Sequence, residues 1–194
     1  MMAQIQQEKD RLNLAPKKFN MWIFLFTSFM FFMALTSGFI VYVGGSKTHE
    51  LTIKLPQIFM YSTGAIILSS LTMFLASREA KHLQFAKQRL FLWLTIFLGI
   101  AFFVLQVFAW KALIDMHQHL VNPNASISFV YVISGAHLLH ILAGLLLIIN
   151  TLVKSYKNTP QVLNLYNMEM SSIFWHFIDI IWIYLYVFLL LNQR

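Results

Sequence analysis

Five long apolar runs, separated by short polar segments, organise this chain: Met21 to Val43, Ile58 to Ala76, Leu90 to Trp110, about Phe129 to Val153, and Met170 to Leu191. Apolar residues are continuous within each run, which fits helices and not the two-residue alternation of barrel strands. At about 1.5 Å of rise per residue, each run is long enough to cross a hydrocarbon layer about 30 Å thick. A barrel would need about eight or more strands to close its edges in lipid. The pattern therefore predicts an all-α membrane protein, a bundle of five transmembrane helices. Asn122, Pro123 and Asn124 mark a turn before the fourth run, and Thr159-Pro160 mark one before the fifth. Residues 1–20 read as a polar amino-terminal tail, too long and too acidic for a signal sequence, and 21–194 as the transmembrane domain. The first run is then a retained anchor. The linkers leave no room for a soluble catalytic domain.

Composition sharpens this reading. Only 11% of the 194 residues are charged and 59% are hydrophobic, which excludes an ordinary soluble enzyme. Cysteine is absent, so disulfides, thiolate zinc sites, Fe–S clusters and covalent c-type haem are excluded in this chain. The net charge of +7 does not mark a nucleic-acid surface, because the basic residues are scattered over the short polar segments. Their distribution alternates. Lys9, Arg11, Lys17, Lys18, Arg78, Lys81, Lys87, Arg89, Lys154 and Lys157 fall on one side, against Lys47, Lys54, Lys111 and Arg194 on the other. The positive-inside rule places the amino end in the cytoplasm and the carboxyl end in the periplasm.

The informative residues are polar ones inside apolar runs. In the fifth run His176 and Asp179 are three apart on one helix face, with Trp175 and Trp182 on the same stripe. A mid-span Asp costs about 2.5–3.5 kcal/mol on insertion scales, so it should face protein and find a partner. Two readings are open, a proton-handling cluster and a hydrogen-bonded clamp between helices. The clamp is the simpler, since no second mid-span carboxylate offers a relay station. Losing one member of a buried pair should strand the other at a cost of a few kcal/mol. In the fourth run His137 and His140 again share a face, among the small residues Gly135, Ala136, Ala143 and Gly144 that permit close helix approach. Haem or metal ligation by these histidines would need ligands converging from two helices, and no spacing in the sequence requires that. Gln106 is expected to bond to another helix, and Trp110 suits an interfacial belt. Ser28, Thr36, Ser62, Thr63, Ser69 and Ser70 could bond between helices or to their own backbone. Glu169 precedes the fifth run, where it would complement a helix amino terminus, a lipid headgroup or a partner's basic residue. Trp175 and Trp182 are further candidates for lipid or partner contact. His117 and His119 are expected to be solvated.

These residues resemble subunit III of haem–copper oxidases. Trp175-His176-Phe177-Ile178-Asp179-Ile180-Ile181-Trp182 is similar to that family's last-helix signature, a Trp-His-Phe run with Asp three after the His and Trp three after the Asp. Ser134-Gly135-Ala136-His137-Leu138-Leu139-His140 resembles the Gly-x-His-x-x-His of its preceding helix. Gln106 and Trp110 fit its Gln-x-x-Glu-aromatic motif, and Glu169 falls where the family places a Glu. Two positions depart: Thr27-Ser28 stands in place of a Ser-Glu pair, and Ala109 in place of the motif's Glu. Long members have seven helices, and this chain resembles the last five, the bacterial form. The resemblance implies a non-catalytic subunit III of a terminal oxidase, cytochrome c oxidase first, in a bacterial plasma membrane and in aerobic respiratory electron transport. It implies no cofactor in this chain, with haem and copper in partner subunits. The implied partners are subunit I, packed directly, then subunit II, other subunits and membrane lipids, with no nucleic acid. His137, His140, His176, Asp179 and Gln106 would form an internal polar scaffold. Rival readings are subunit III of a quinol oxidase, an accessory subunit of a nitric oxide reductase, a haem b anchor and a stand-alone transporter. The transporter would need repeats or broken helices that the sequence lacks.

Overall fold

The computed structural model describes residues 14–45, 56–118, 120, 123–157 and 160–193. Lys9, Arg11, Lys47, Lys54, His119, Asn122, Thr159 and Arg194 lie outside this set. Five α-helices account for almost all of the described chain: α1 (Leu14–Gly44), α2 (Ile58–Lys81), α3 (Phe85–Asp115), α4 (Ala125–Tyr156) and α5 (Gln161–Asn192). Each is long and apolar enough to cross a membrane. The helices outrun the apolar runs. Residues 14–20, assigned to the polar tail from sequence, are the first turns of α1.

Helices α2, α3, α4 and α5 close into a ring, each packing against the next, and α1 lies outside on the groove between α4 and α5. Buried positions show why. Helix α1 buries one narrow stripe, Leu25, Ser28, Phe32, Thr36 and Phe39, and turns large apolar residues such as Phe26 and Val41 outward. Within the ring, α2 buries Phe59, Ser62, Ile66, Ser69, Met73, Ala76 and Ala80. Helix α3 buries Gln88, Leu92, Thr95, Gly99, Phe102, Gln106, Ala109 and Leu113. Both stripes step alternately by three and four residues, the spacing of left-handed antiparallel packing, and many of the residues are small. The connection from His82 to Gln84 is short enough to force α2 and α3 side by side, with Leu83 in the left-handed region at φ 61°. Asn124 caps α4 by accepting from the Ser126 amide at 3.1 Å, so the turn expected there is present.

Between helices, polar side chains link one end of the ring. Thr72 and Thr95 join α2 to α3 at 2.8 Å, and Thr151 and Ser171 join α4 to α5 at 2.8 Å. Arg89 donates to the Ser155 hydroxyl at 3.2 Å and to the Ser155 carbonyl, with its guanidinium 4.4 Å from the Tyr156 ring centre. Gln161 at the start of α5 donates to the Ala80 carbonyl at 3.2 Å. Gln88 and Asn164 reach across the ring from α3 to α5 and exchange both amide bonds at 3.3 Å, fully buried. This pair behaves as a unit. Gln88→Leu or Asn164→Leu alone should lower stability by about 1–3 kcal/mol by orphaning the other amide, while the double Leu variant should recover most of the loss. Thermal melts of the four detergent-solubilised proteins check this through the coupling between the two sites.

Candidate functional site

Two tryptophans of α5 organise the interior. Trp175 sits in a slot between two glycines: a Cβ on Gly99 would come within 2.9 Å of its ring, and one on Gly144 within 3.0 Å. Its indole N–H donates to Ser69 of α2 at 3.0 Å. Two turns on, Trp182 donates to Thr63 at 3.0 Å and lies edge-to-face on Phe102 with centroids 5.0 Å apart. The other side of that indole meets the His137 ring at 4.8 Å. Both tryptophans were candidates for lipid or partner contact from sequence, and the structure corrects this. They are 0% and 1% exposed, because every face of each indole is occupied by α2, α3 or α4.

The scaffold residues do not form one connected cluster. His140, half-buried, donates through Nδ1 to the Ala136 carbonyl at 2.8 Å, and its Nε2 lies 3.3 Å from the Ser28 hydroxyl of α1. It therefore ties α1 to α4. His137 faces the other way, into the ring, between Phe32, Phe102 and Trp182, and neither ring nitrogen has a hydrogen-bond partner. Gln106 was expected to bond to another helix, and this too is corrected. Its amide is fully buried, yet both polar atoms are unpartnered. One turn on, the Trp110 N–H donates to Ser134 at 3.0 Å. Trp110 is thus directed into the bundle through its N–H and packs on Gly135 and Tyr131. An unpaired buried imidazole contributes shape but no hydrogen bond. His137→Leu should therefore leave the melting temperature of the solubilised chain unchanged or raised, whereas His140→Leu should lower it by orphaning its contact with Ser28.

At the α2–α5 seam His176 and Asp179 share a face as expected but do not bond to each other. The Ser70 hydroxyl lies 2.7 Å from His176 Nδ1. Asp179 is 3% exposed and neither carboxyl oxygen meets a partner in hydrogen-bond geometry. The Ser70 hydroxyl thus engages His176, one turn before Asp179 on the same face of α5. Glu169 forms an ion pair with Lys18 of α1. The sequence reading placed Glu169 at a helix start, but α5 begins at Gln161, two turns earlier, so Glu169 stands inside the helix. The early start follows from Pro160, which favours helix initiation, and from partners that Gln161 and Asn164 find across the ring. His117 is exposed, in a left-handed turn at φ 59° after α3. Among the described residues no three His, Asp or Glu side chains come together as a metal site.

Similarity to known proteins extends over most of this chain. Over 172 residues it is 30% identical to a cytochrome c oxidase subunit 3 of Bacillus sp. (strain PS3), covering 85% of the chain and 80% of that relative. The chain belongs to the subunit III family of haem–copper oxidases. Another family member, a cytochrome bo(3) ubiquinol oxidase subunit 3 of Buchnera aphidicola subsp. Schizaphis graminum, is 27% identical over 91% of the chain and 94% of its own length. A quinol oxidase subunit 3 of Bacillus spizizenii is 27% identical over 93% of the chain and 87% of its own length. No protein-family model matches the chain. Family membership and five membrane-length helices together make this an integral bacterial membrane protein. Two positions where the family pattern carries Glu are filled differently here: Ser28 contacts His140, and Ala109 is completely buried.

The sequence did not single out Gly99, Gln88, Asn164 or Arg89. Gly99 looks like any glycine in an apolar run, and the other three lie at helix ends where polar residues are ordinary. Only the three-and-four spacing of Gln88 with Leu92, Thr95 and Gly99 signals that the first of them faces inward.

Proposed function

We propose that this chain is the non-catalytic subunit III of a terminal haem–copper oxidase, packing in the membrane beside subunit I. The observation that carries this reading is the similarity along nearly the whole chain to third subunits of cytochrome c and quinol oxidases alike. The architecture supports it. The interior is filled by Trp175, Trp182 and Phe102, and the linkers between helices are short, so the bundle offers a rigid scaffold. Haem and copper, and with them oxygen reduction and proton pumping, belong to subunit I in this reading, with subunit II and lipids completing the assembly. The basic residues set the amino end in the cytoplasm and the carboxyl end in the periplasm. Ser28–His140, Trp175–Ser69, Trp182–Thr63 and His176–Ser70 are the bonds that hold its helices in register.

The test is purification of the tagged chain in mild detergent, with a visible spectrum and oxygen uptake measured on the product. Haem-rich partners and oxygen consumption are expected, and the reductant that sustains uptake, cytochrome c or a quinol, names the electron donor. A haem-free product lacking a large membrane partner would overturn the proposal.

A further inference from the structure

Asp179 is the one buried carboxyl among the described residues, and the surroundings of its side chain are unusual. Helix α5 packs against α1, α2 and α4. On α2, Ser69 donates to its own backbone and accepts from Trp175, and Ser70 engages His176, both partners lying within about one turn of Asp179 on α5. From α4 His137 lies against Trp182, three residues after Asp179. From α1, Lys18 pairs with Glu169, ten residues before Asp179 along α5. Arg78, the nearest charge along α2, is eight residues beyond Ser70, about 12 Å away at helical rise. Among the described residues no Lys or Arg pairs with the carboxyl. A bare carboxylate without cation or hydrogen bond at the middle of a membrane helix is among the most costly arrangements a protein can hold.

We infer that Asp179 is a proton-binding site, the inner end of a chain Asp179–Ser70–His176 that runs from the bundle interior to the rim of the α2–α5 seam. In this chain a protonated Asp179 turns its O–H to Ser70 Oγ, a bond not formed in the structure, and the Ser70 O–H donates to His176 Nδ1, where the 2.7 Å contact already exists. His176 is half-buried and is the outer terminus. A shift along the chain is balanced: the Asp O–H bond breaks as a Ser70 O–H bond forms, and the original Ser70 O–H breaks as His176 Nδ1–H forms. Aspartate and imidazolium result, and the reverse shift restores the neutral pair. No further reactant is needed. This assignment concerns the chain's own side chains and stands apart from the proposed place in an oxidase.

The test is infrared spectroscopy of the full-length chain in detergent, with its three aspartates, Asp10, Asp115 and Asp179, labelled with 13C at the carboxyl carbon. At neutral pH the wild type should show one label-sensitive band of a protonated, hydrogen-bonded carboxyl. Asp179→Asn should lose it. Ser70→Ala should keep the band but shift it upward, as a free acid group, and slow its exchange in deuterated buffer. Only carboxylate bands in the wild type would overturn the inference. A band insensitive to Ser70→Ala would overturn the chain to His176. Because labelled wild type and Ser70→Ala suffice, the result does not depend on Asp179→Asn folding, and it is independent of whether haem partners co-purify.

Discussion

Gly99→Val should be the most damaging single methyl-scale change in this bundle, lowering stability by about 3 kcal/mol and depleting the protein from membranes. A Cβ at Gly99 would already lie 2.8 Å from Leu145 Cδ2 and 2.9 Å from Trp175 Cη2. The tip of Leu145 can swing aside. The indole cannot, since its N–H is held by Ser69 and another edge lies against Gly144. Valine adds two methyls to this contact, so either α3 moves away from α5 or Trp175 leaves its rotamer. Gly99→Ala and Gly144→Ala should cost less, in that order, because the Gly144 site begins at 3.0 Å. Gly64→Ala is the control: nothing lies within 4 Å, and alanine should gain up to about 1 kcal/mol in helix propensity. Combining Gly99→Ala with Trp175→Phe should recover part of the loss by shrinking the ring that fills the slot. Melting curves of the solubilised variants, followed by circular dichroism, rank these outcomes. Equal stability of Gly99→Val and Gly64→Ala would mean that the slot is not closed.

Gly99 also shows where sequence reasoning stops. Lipid imposes the length and continuity of a spanning helix, so Met21 to Val43 and its four counterparts could be read directly. The polar residues that must be satisfied inside lipid, such as Asp179 and His140, stood out for the same reason. Lipid does not say which helix answers them. Ser69 and Ser70 are adjacent, yet one serves Trp175 and the other His176, a division set by about 100° of rotation per residue and by which side of α5 faces α2. The small residues around His137 signalled close approach, and Gly144 does receive a neighbour. That neighbour is Trp175, which the sequence places on the Asp179 stripe and offers as a candidate for lipid or partner contact. An aromatic belt and an aromatic core have the same composition. Gln106 fails differently: an amide in an apolar run predicts a bond, but its buried amide meets no partner, whereas Trp110 one turn later bonds to Ser134. Helix ends were the least legible, because Gln161 and Asn164 extend α5 only by meeting Ala80 and Gln88 on distant segments.

Trp182→Ala should lower stability by about 3–5 kcal/mol, the range for emptying a large aromatic site in a closed core. The cost has two separable parts. Removing the indole opens space between Phe59, which stacks on it at 6.2 Å, and Phe102 at 5.0 Å, with His137 exposed to that space. It also removes the donor to Thr63. Thr63 remains bonded to the Phe59 carbonyl at 2.8 Å, so its hydroxyl is not stranded, and the hydrogen-bond part should be near 1 kcal/mol. Trp182→Phe isolates the remainder, keeping a ring against Phe102 while giving up the N–H and part of the volume. Thr63→Val removes the acceptor and leaves an indole N–H without a partner inside the bundle, which should cost about 1–3 kcal/mol. Adding Thr63→Val to Trp182→Phe should then cost almost nothing more, because the donor is already gone. That coupling, measured as a double-mutant cycle on the melting curves, distinguishes a tryptophan that works through its hydrogen bond from one that works through volume. A large loss in Trp182→Ala with a small loss in Trp182→Phe assigns the dominant role to packing between α2, α3 and α5. Full stability in Trp182→Ala would contradict the closed interior from which the scaffold reading of the whole subunit is built.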